Sequence, residues 1–251
     1  MGVTVKYEFS SEIDPHIPDV CGQPPKRRYG DIMSRDNSRA ARVDLYVAGF
    51  PCQAFSKLSG VSRGMEDTRG QVMWGVLDYI HRQRPRMFLL ENVRNFLTHN
   101  NGAAWSALQE DIMQCRSDTG EALYTLHHRV LSPLDIGFPH SRPRVFVVGV
   151  RRDSLPCDWR HPDLAVLKRP AVRLEDLLLT NDQAEREYPE AFRPPPPSHQ
   201  RLIDTLHELA AAQGRDISKE PVVVDLKQGT RRPVAHLPRA GVIPCMTRGC
   251  R

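Results

Sequence analysis

Over residues 1–150, short apolar runs rich in β-branched and aromatic residues alternate with segments whose apolar positions recur at helical spacing. VTVKYEF (3–9), VDLYVAGF (43–50), MFLLENV (87–93) and RVFVVGV (144–150) are predicted strands, and YTLHHRV (124–130) reads as another. Between them, GQVMWGVLDYIHRQR (70–84) carries Val72, Val76, Leu77 and Ile80 on one helical stripe, and GAAWSALQEDIMQC (102–115) does the same with Trp105, Leu108 and Ile112. Pro85 should stop the first helix, and Trp74 and Trp105 should enter the core. Strands alternating with helices predict an α/β fold whose parallel sheet is covered by helices. Ligand sites in such sheets gather at the carboxyl ends of the strands.

Beyond about residue 151 prolines accumulate, PPPP fills 194–197, and the apolar periodicity weakens. The boundary is placed at 158, giving a main domain of 1–158 and a smaller irregular lobe over 159–251. Within that lobe RLIDTLHELAAAQ (201–213) is predicted helical, PVVVDL (221–226) a strand, and RAGVIPCMTRGCR (239–251) begins as a strand. The PPPP run reads as a stiff surface connector.

Composition changes this picture little. The chain has 251 residues, 40% of them hydrophobic and 26% charged, which is ordinary for a globular enzyme and too apolar for disorder. No stretch approaches the roughly 18 consecutive apolar residues of a membrane span, and the N-terminus lacks the layout of a signal peptide. A soluble intracellular protein is expected. The six cysteines show no C-x-x-C spacing, so a reducing compartment with neither zinc nor disulfides fits best. A net charge of +5 leans toward a polyanionic partner. His127 and His128 read as a packed and a solvated side chain rather than metal ligands. KRR (26–28) and the Arg pairs at 151–152 and 231–232 read as solvated charge, with Arg231 and Arg232 also placed to touch phosphate.

The chemistry is concentrated in GFPCQAFS (49–56). Proline locks its own φ, so Pro51 holds Cys52 at a set angle just beyond the end of an apolar strand, where packing has little use for sulfur. Two further features stand near it in the expected sheet. ENV (91–93) places Glu91 at the end of the neighbouring strand, where a desolvated carboxylate is costly unless paired or protonated. PHSRPRVFVVG (139–149) brings Arg142 and Arg144 to the start of a third.

GFPCQAFS, MEDTRG, ENVRNF and RPRVFVVG, in this order and spacing, resemble motifs IV, V, VI and VIII of the DNA cytosine-C5 methyltransferases over roughly residues 1–160. The resemblance implies a Rossmann-like fold that uses S-adenosylmethionine, and double-stranded DNA as partner. It implies that Cys52 attacks C6 of cytosine, because C5 is too weak a nucleophile to take a methyl group directly. Glu91 would hold N3 and the exocyclic amine, Arg144 and Arg142 would contact the cytosine O2 and brace the site, and Gln53 and Ser56 would line the substrate side. The target base must be flipped out of the duplex to reach this thiol. On the cofactor side, EFSSEID (8–14) is similar to motif II, with Glu12 on the ribose hydroxyls and Ile13 against the adenine. GDI (30–32) is similar to motif III, with Asp31 at the adenine amine beside Ile32, and Pro51 and Val72 match positions lining the cofactor pocket.

The resemblance is incomplete. The family's first strand and its Gly-rich FxGxG loop have no counterpart, GVIPCMTRG looks like the start of motif IX inside the target-recognition region, and the closing motif X is absent. The expected fold therefore lacks its first strand, whose removal leaves two ladders of backbone groups without a partner. The chain is expected to be a fragment with weak or no methylation alone, nuclear in a eukaryote and cytoplasmic in a bacterium. Two alternatives stand beside DNA methylation: the tRNA-methylating branch, whose Cys-Phe-Thr is not visible here, and a noncatalytic regulator, for which intact PCQ and ENV would have no use.

Overall fold

A computed structural model describes residues 4–17, 23–51, 68–156, 159–160, 169–192, 196–217, 223 and 241–243. The fold is α/β and forms two compact units, one of residues 1–131 with 144–162 and the other of 132–143 with 163–251. In the first unit the chain runs through β1 (Phe9–Ser11), β2 (Arg27–Tyr29), β3 (Leu45–Gly49), α1 (Thr68–Gln83), β4 (Met87–Val93), α2 (Ala103–Gln114), β5 (Tyr124–Leu131) and β6 (Arg144–Arg151). β3, β4, β6 and β5 lie side by side in that order, while β1 and β2 form a separate parallel pair. Among the described residues no strand joins β1 to β3.

The four-stranded sheet is mixed, not wholly parallel as its sequence pattern suggested. β3 and β4 are parallel and joined through α1, whereas β6 is antiparallel to both β4 and β5. Parallel neighbours need a long, usually helical crossover; the twelve residues between β5 and β6 hold only a 3₁₀ turn, so that pair closes as a hairpin.

Strand parity decides what faces the helices. Tyr46 of β3, Phe88 and Leu90 of β4, and Val145 and Val147 of β6 point to one face and pack with Met73, Val76, Leu77 and Ile80 of α1 and Leu108 and Ile112 of α2, all fully buried or nearly so. Trp74 is a correction: one residue from Met73 turns it about 100° off this stripe, and it is 37% exposed. Trp105 packs against the core and against His128, which is itself exposed, while His127 is half-buried. On the opposite face Leu45, Val47 and Met87 are exposed, although parallel sheets are usually covered on both sides.

The predicted strand 3–9 is displaced to Phe9–Ser11, and Val5 is exposed. Among the described residues it pairs only with β2, whose charges were expected to be solvated; Arg27 and Arg28 are indeed exposed, but their backbone pairs with β1. The two sheets are tied at Arg35, which is buried beside Phe9 of β1, Tyr29 of β2 and Tyr79 of α1, with its guanidinium carbon 5.1, 5.7 and 5.2 Å from their ring centres. It donates to Ser11 Oγ at 2.7 Å and Asn37 Oδ1 at 2.8 Å, and Asn37 in turn donates to Asp78 Oδ2 at 2.8 Å. Burial holds the Tyr79 hydroxyl above its usual titration range, so it stays neutral and donates to the Ala41 carbonyl at 2.6 Å.

The α1–α2 contact carries a titratable clasp. His81, in the last turn of α1, meets Asp111 of α2 with Nε2 and Oδ1 2.7 Å apart. A hydrogen bond with buried Cys115, followed by Asp111, raises its pKa to about 9 against desolvation. A raised histidine pKa favours the folded state fully below the unfolded value of roughly 6.5, and that contribution is lost as pH climbs through the folded value. The melting temperature should therefore fall between pH 6.5 and about 9, and His81→Gln should flatten the profile in that window; after allowance for solvent screening the difference is ~1 kcal/mol. Parallel wild-type and variant profiles would sink this assignment.

The second unit contains α3 (Asn181–Glu187) and α4 (Pro197–Ala212). Thr180 caps α3 by accepting the Gln183 amide at 3.3 Å. α4 begins four residues before its predicted start, with Pro197 in its first turn, and buries Leu202, Leu206 and Ala210 at four-residue spacing. Ile243 bridges to His140, with the Ile243 amide donating to the Pro139 carbonyl at 2.7 Å. The rest of the strand expected at 239–251, nearly all of that expected at 221–226, and Arg231 and Arg232 lie outside the described residues.

Candidate active site

Glu91 sits where strand parity takes it away from the helical core. Its neighbours Leu90 and Asn92 point into the buried face, so Glu91 projects on the open face in line with Met87 and Leu89. Opposite it in the β3–β4 register is Gly49. A Cβ at Gly49 would stand 3.2 Å from Glu91 Oε2, so the glycine before Phe50-Pro51 leaves room for the carboxylate.

On the other flank is β6, where Arg144 Nε donates to Glu91 Oε1 at 2.9 Å. The arginine side chain is 13% exposed and the glutamate 36%, so the pair is anchored on the cationic side and open on the acidic one. Like Glu91, Arg144 lies on the open face, because Val145 and Val147 point to the core. An arginine fork placed this way fixes one carboxylate oxygen and leaves the other to face a ligand.

Asn92, which the sequence reading quoted within ENV but gave no role, is the buried member of the group, at 2% exposure. Its Nδ2 donates to the Phe50 carbonyl at 3.4 Å and its Oδ1 accepts the Val93 amide at 2.8 Å. It thereby ties β4 to the segment that leads into Pro51-Cys52. Parity with buried Phe88 and Leu90 carries this amide inside, where it needs partners, a signal the continuous apolar run 87–90 does not give in the sequence.

The other expected residues fall in several places. Pro51 is half-buried just past β3, whereas Cys52, Gln53 and Ser56 lie outside the described residues, as do Met65, Glu66 and Asp67 of MEDTRG. Arg142 belongs to the second compact unit, where its amide donates to Ser132 Oγ at 3.2 Å. Glu12 and Asp31 follow β1 and β2 at the same end of that pair, since Ser11 and Tyr29 are in register. Glu12 Oε1 accepts the Asp14 amide and Asp31 Oδ1 the Met33 amide, each at 2.9 Å, so both acids are fixed by their own loops through one oxygen. Ile13 is 74% exposed beside Glu12. Ile32 and Val72 are only partly available, since both pack against the core.

This sequence matches the family of C-5 cytosine-specific DNA methylases over residues 1–211. The chain belongs to that family. It is 35% identical over 158 residues to the type II methyltransferase M.NgoBI of Neisseria gonorrhoeae, a match covering 61% of this chain and 46% of that protein. With the type II methyltransferase M.HhaI of Haemophilus parahaemolyticus it shares 29% identity over 203 residues, covering 74% and 59% respectively. The chain thus spans about half the length of these curated relatives. Among solved structures it aligns with the S. pombe Dnmt2 methyltransferase at 16% identity and a TM-score of 0.45, over 73% of this chain and 57% of that one. Among the described residues no helix is long and apolar enough to cross a membrane.

Proposed function

We propose that this chain carries the base-binding half of a site that methylates C5 of cytosine in DNA, with S-adenosylmethionine as donor. The observation that carries the reading is the Glu91–Arg144 pair on the open sheet face, against Gly49 and three residues before Cys52. Membership of the family makes the pyrimidine the natural occupant. A carboxylate with one oxygen held by arginine can accept from the exocyclic amine and share a proton at N3 with the other.

In this reading the Cys52 thiolate forms a bond to C6, and the electrons of the C5–C6 double bond move toward C5 while charge at N3 is met by the Glu91 proton. Once C5 carries its new substituent, loss of the C5 proton restores the double bond and expels sulfur. Arg144 keeps the carboxylate from swinging toward solvent, and Asn92 holds the Phe50 carbonyl, two residues before Cys52 in the sequence.

The acids at the ends of β1 and β2 fit the adenosine part of the donor. Each has one oxygen bound within its loop, leaving the other for a ribose hydroxyl or an adenine amine, and exposed Ile13 offers a flat apolar contact. Glu12, Ile13, Asp31 and Ile32 would hold that end, and Pro51 and Val72 would line the same pocket. When bound, the donor supplies an electrophilic methyl group.

The test is covalent trapping. A duplex containing 5-fluorocytosine, incubated with the chain and adenosylmethionine, should yield a protein–DNA adduct whose peptide map places the bond on Cys52; irreversible trapping accumulates even from a slow reaction. An adduct on another residue, an adduct with RNA alone, or none after prolonged incubation would overturn the proposal.

A further inference from the structure

At the end of the sheet opposite to Glu91, the amino ends of β3 and β4 and the carboxyl end of β6 enclose a cavity of about 340 Å³ lined by Arg42, Val43, Asp44, Arg86, Arg151 and Ser154. Three guanidinium groups line one small space, yet the acids beside them answer only part of that charge. Asp153 is consumed by Arg151, whose Nε and Nη2 reach its two oxygens at 2.9 and 2.6 Å. The remaining Nη1 of Arg151 donates to the Arg84 carbonyl at 3.0 Å, so this arginine is a rigid wall. Asp44 approaches Arg86 only at 3.8 Å, with the two side chains 86% and 62% exposed, which is the geometry of a loose surface pair. Arg42 is exposed and has no acidic partner among the described residues.

The backbone beneath is ordered by the sheet. The Met87 amide donates to the Asp44 carbonyl at 2.8 Å and the Arg151 amide to the Arg86 carbonyl at 2.9 Å, so Arg86 springs from an anchored strand start, and the Ala41 carbonyl next to Arg42 accepts the Tyr79 hydroxyl at 2.6 Å. Two open guanidinium forks on fixed bases, backed by a third that cannot turn away, suit an oxyanion with several acceptor oxygens. We infer that the Arg42–Arg86–Arg151 cleft is a phosphate-binding site separate from the cytosine site. Glu91 lies five residue steps along β4 from Arg86, which puts the two about 16 Å apart. The phosphate belongs either to a nucleic-acid backbone or to a small phosphorylated ligand, and the same variant separates these sources.

The full chain and its Arg42→Gln/Arg86→Gln form are melted in chloride and in inorganic phosphate at matched ionic strength. Phosphate should raise the melting temperature of the wild type with saturation, and that of the variant several-fold less. Anisotropy with a labelled duplex of A·T pairs only, which offers the cytosine site nothing, is then followed against salt. If DNA phosphates occupy the cleft, the slope of log K against log salt should become shallower by about 1.8 in the variant, as for two lost contacts. An unchanged slope together with a wild-type-specific phosphate effect assigns the cleft to a small phosphate. Equal melting responses together with equal slopes overturn the proposal. Arg42→Lys/Arg86→Lys, which keeps the charge, should retain most of whichever effect is seen, and because both residues are on the surface the variants should fold.

Discussion

Replacing Glu91 with glutamine should slow covalent trapping on 5-fluorocytosine DNA by about 10²- to 10⁴-fold, the usual loss when a positioned proton donor or acceptor is removed. The change preserves shape and most hydrogen bonds but removes two things together: the group that can share a proton with N3, and the countercharge of Arg144, which is only 13% exposed. Measurement of single-turnover trapping rates separates these. If orientation matters through Arg144, then Arg144→Lys, which keeps the charge but loses the Nε contact at 2.9 Å, should cost about tenfold while leaving the pH dependence of trapping unchanged. A trapping rate in Glu91→Gln within threefold of wild type would remove the carboxylate from the chemistry and with it the reading of this face as a pyrimidine site.

The second large effect concerns stability. Arg35→Ala should destabilise the first compact unit by about 3 kcal/mol, because it removes a buried cation from three aromatic faces and leaves buried Asn37 Oδ1 and half-buried Ser11 Oγ without their donor. The loss should be unevenly spread. β1 and β2 pair only with each other among the described strands, and their links to β3 and α1 run through Phe9, Tyr29 and Arg35. Hydrogen exchange in the variant should accelerate first in residues 9–11 and 27–29, before β4 and β6, and the urea midpoint should drop with little change in slope. Arg35→Met, which fills much of the same volume, should recover only the packing part. Uniform acceleration across all strands would show that Arg35 does not act as the seam.

Much of this arrangement was legible in the sequence because periodicity is strict. The apolar run Met87-Phe88-Leu89-Leu90 announced β4, though not which of its faces is buried, and the Val76, Leu77, Ile80 spacing marked the stripe of α1 that meets the sheet. Glu91 and Arg144 were expected near each other and are in contact. What escaped has physical reasons. β2 is Arg-Arg-Tyr, with two exposed charged side chains, and is a strand only through backbone pairing that no side-chain pattern announces. The direction of β6 depends on the absence of a helix after β5, which is a property of the connection and not of either strand. Arg35 lies in a stretch without periodicity, and its cage of rings is gathered from β1, β2 and α1, so no local pattern reveals it.

Phe88 and Gly149 face each other in the β4–β6 register, and a Cβ added at position 149 would lie 1.9 Å from the phenyl ring. Neither partner is free to vary by itself: any larger residue at 149 calls for a smaller one at 88, and a lone truncation at 88 opens a hollow under Tyr124, whose ring centre is 5.1 Å from that of Phe88. The two positions form one steric unit, which accepts substitution only as a matched exchange.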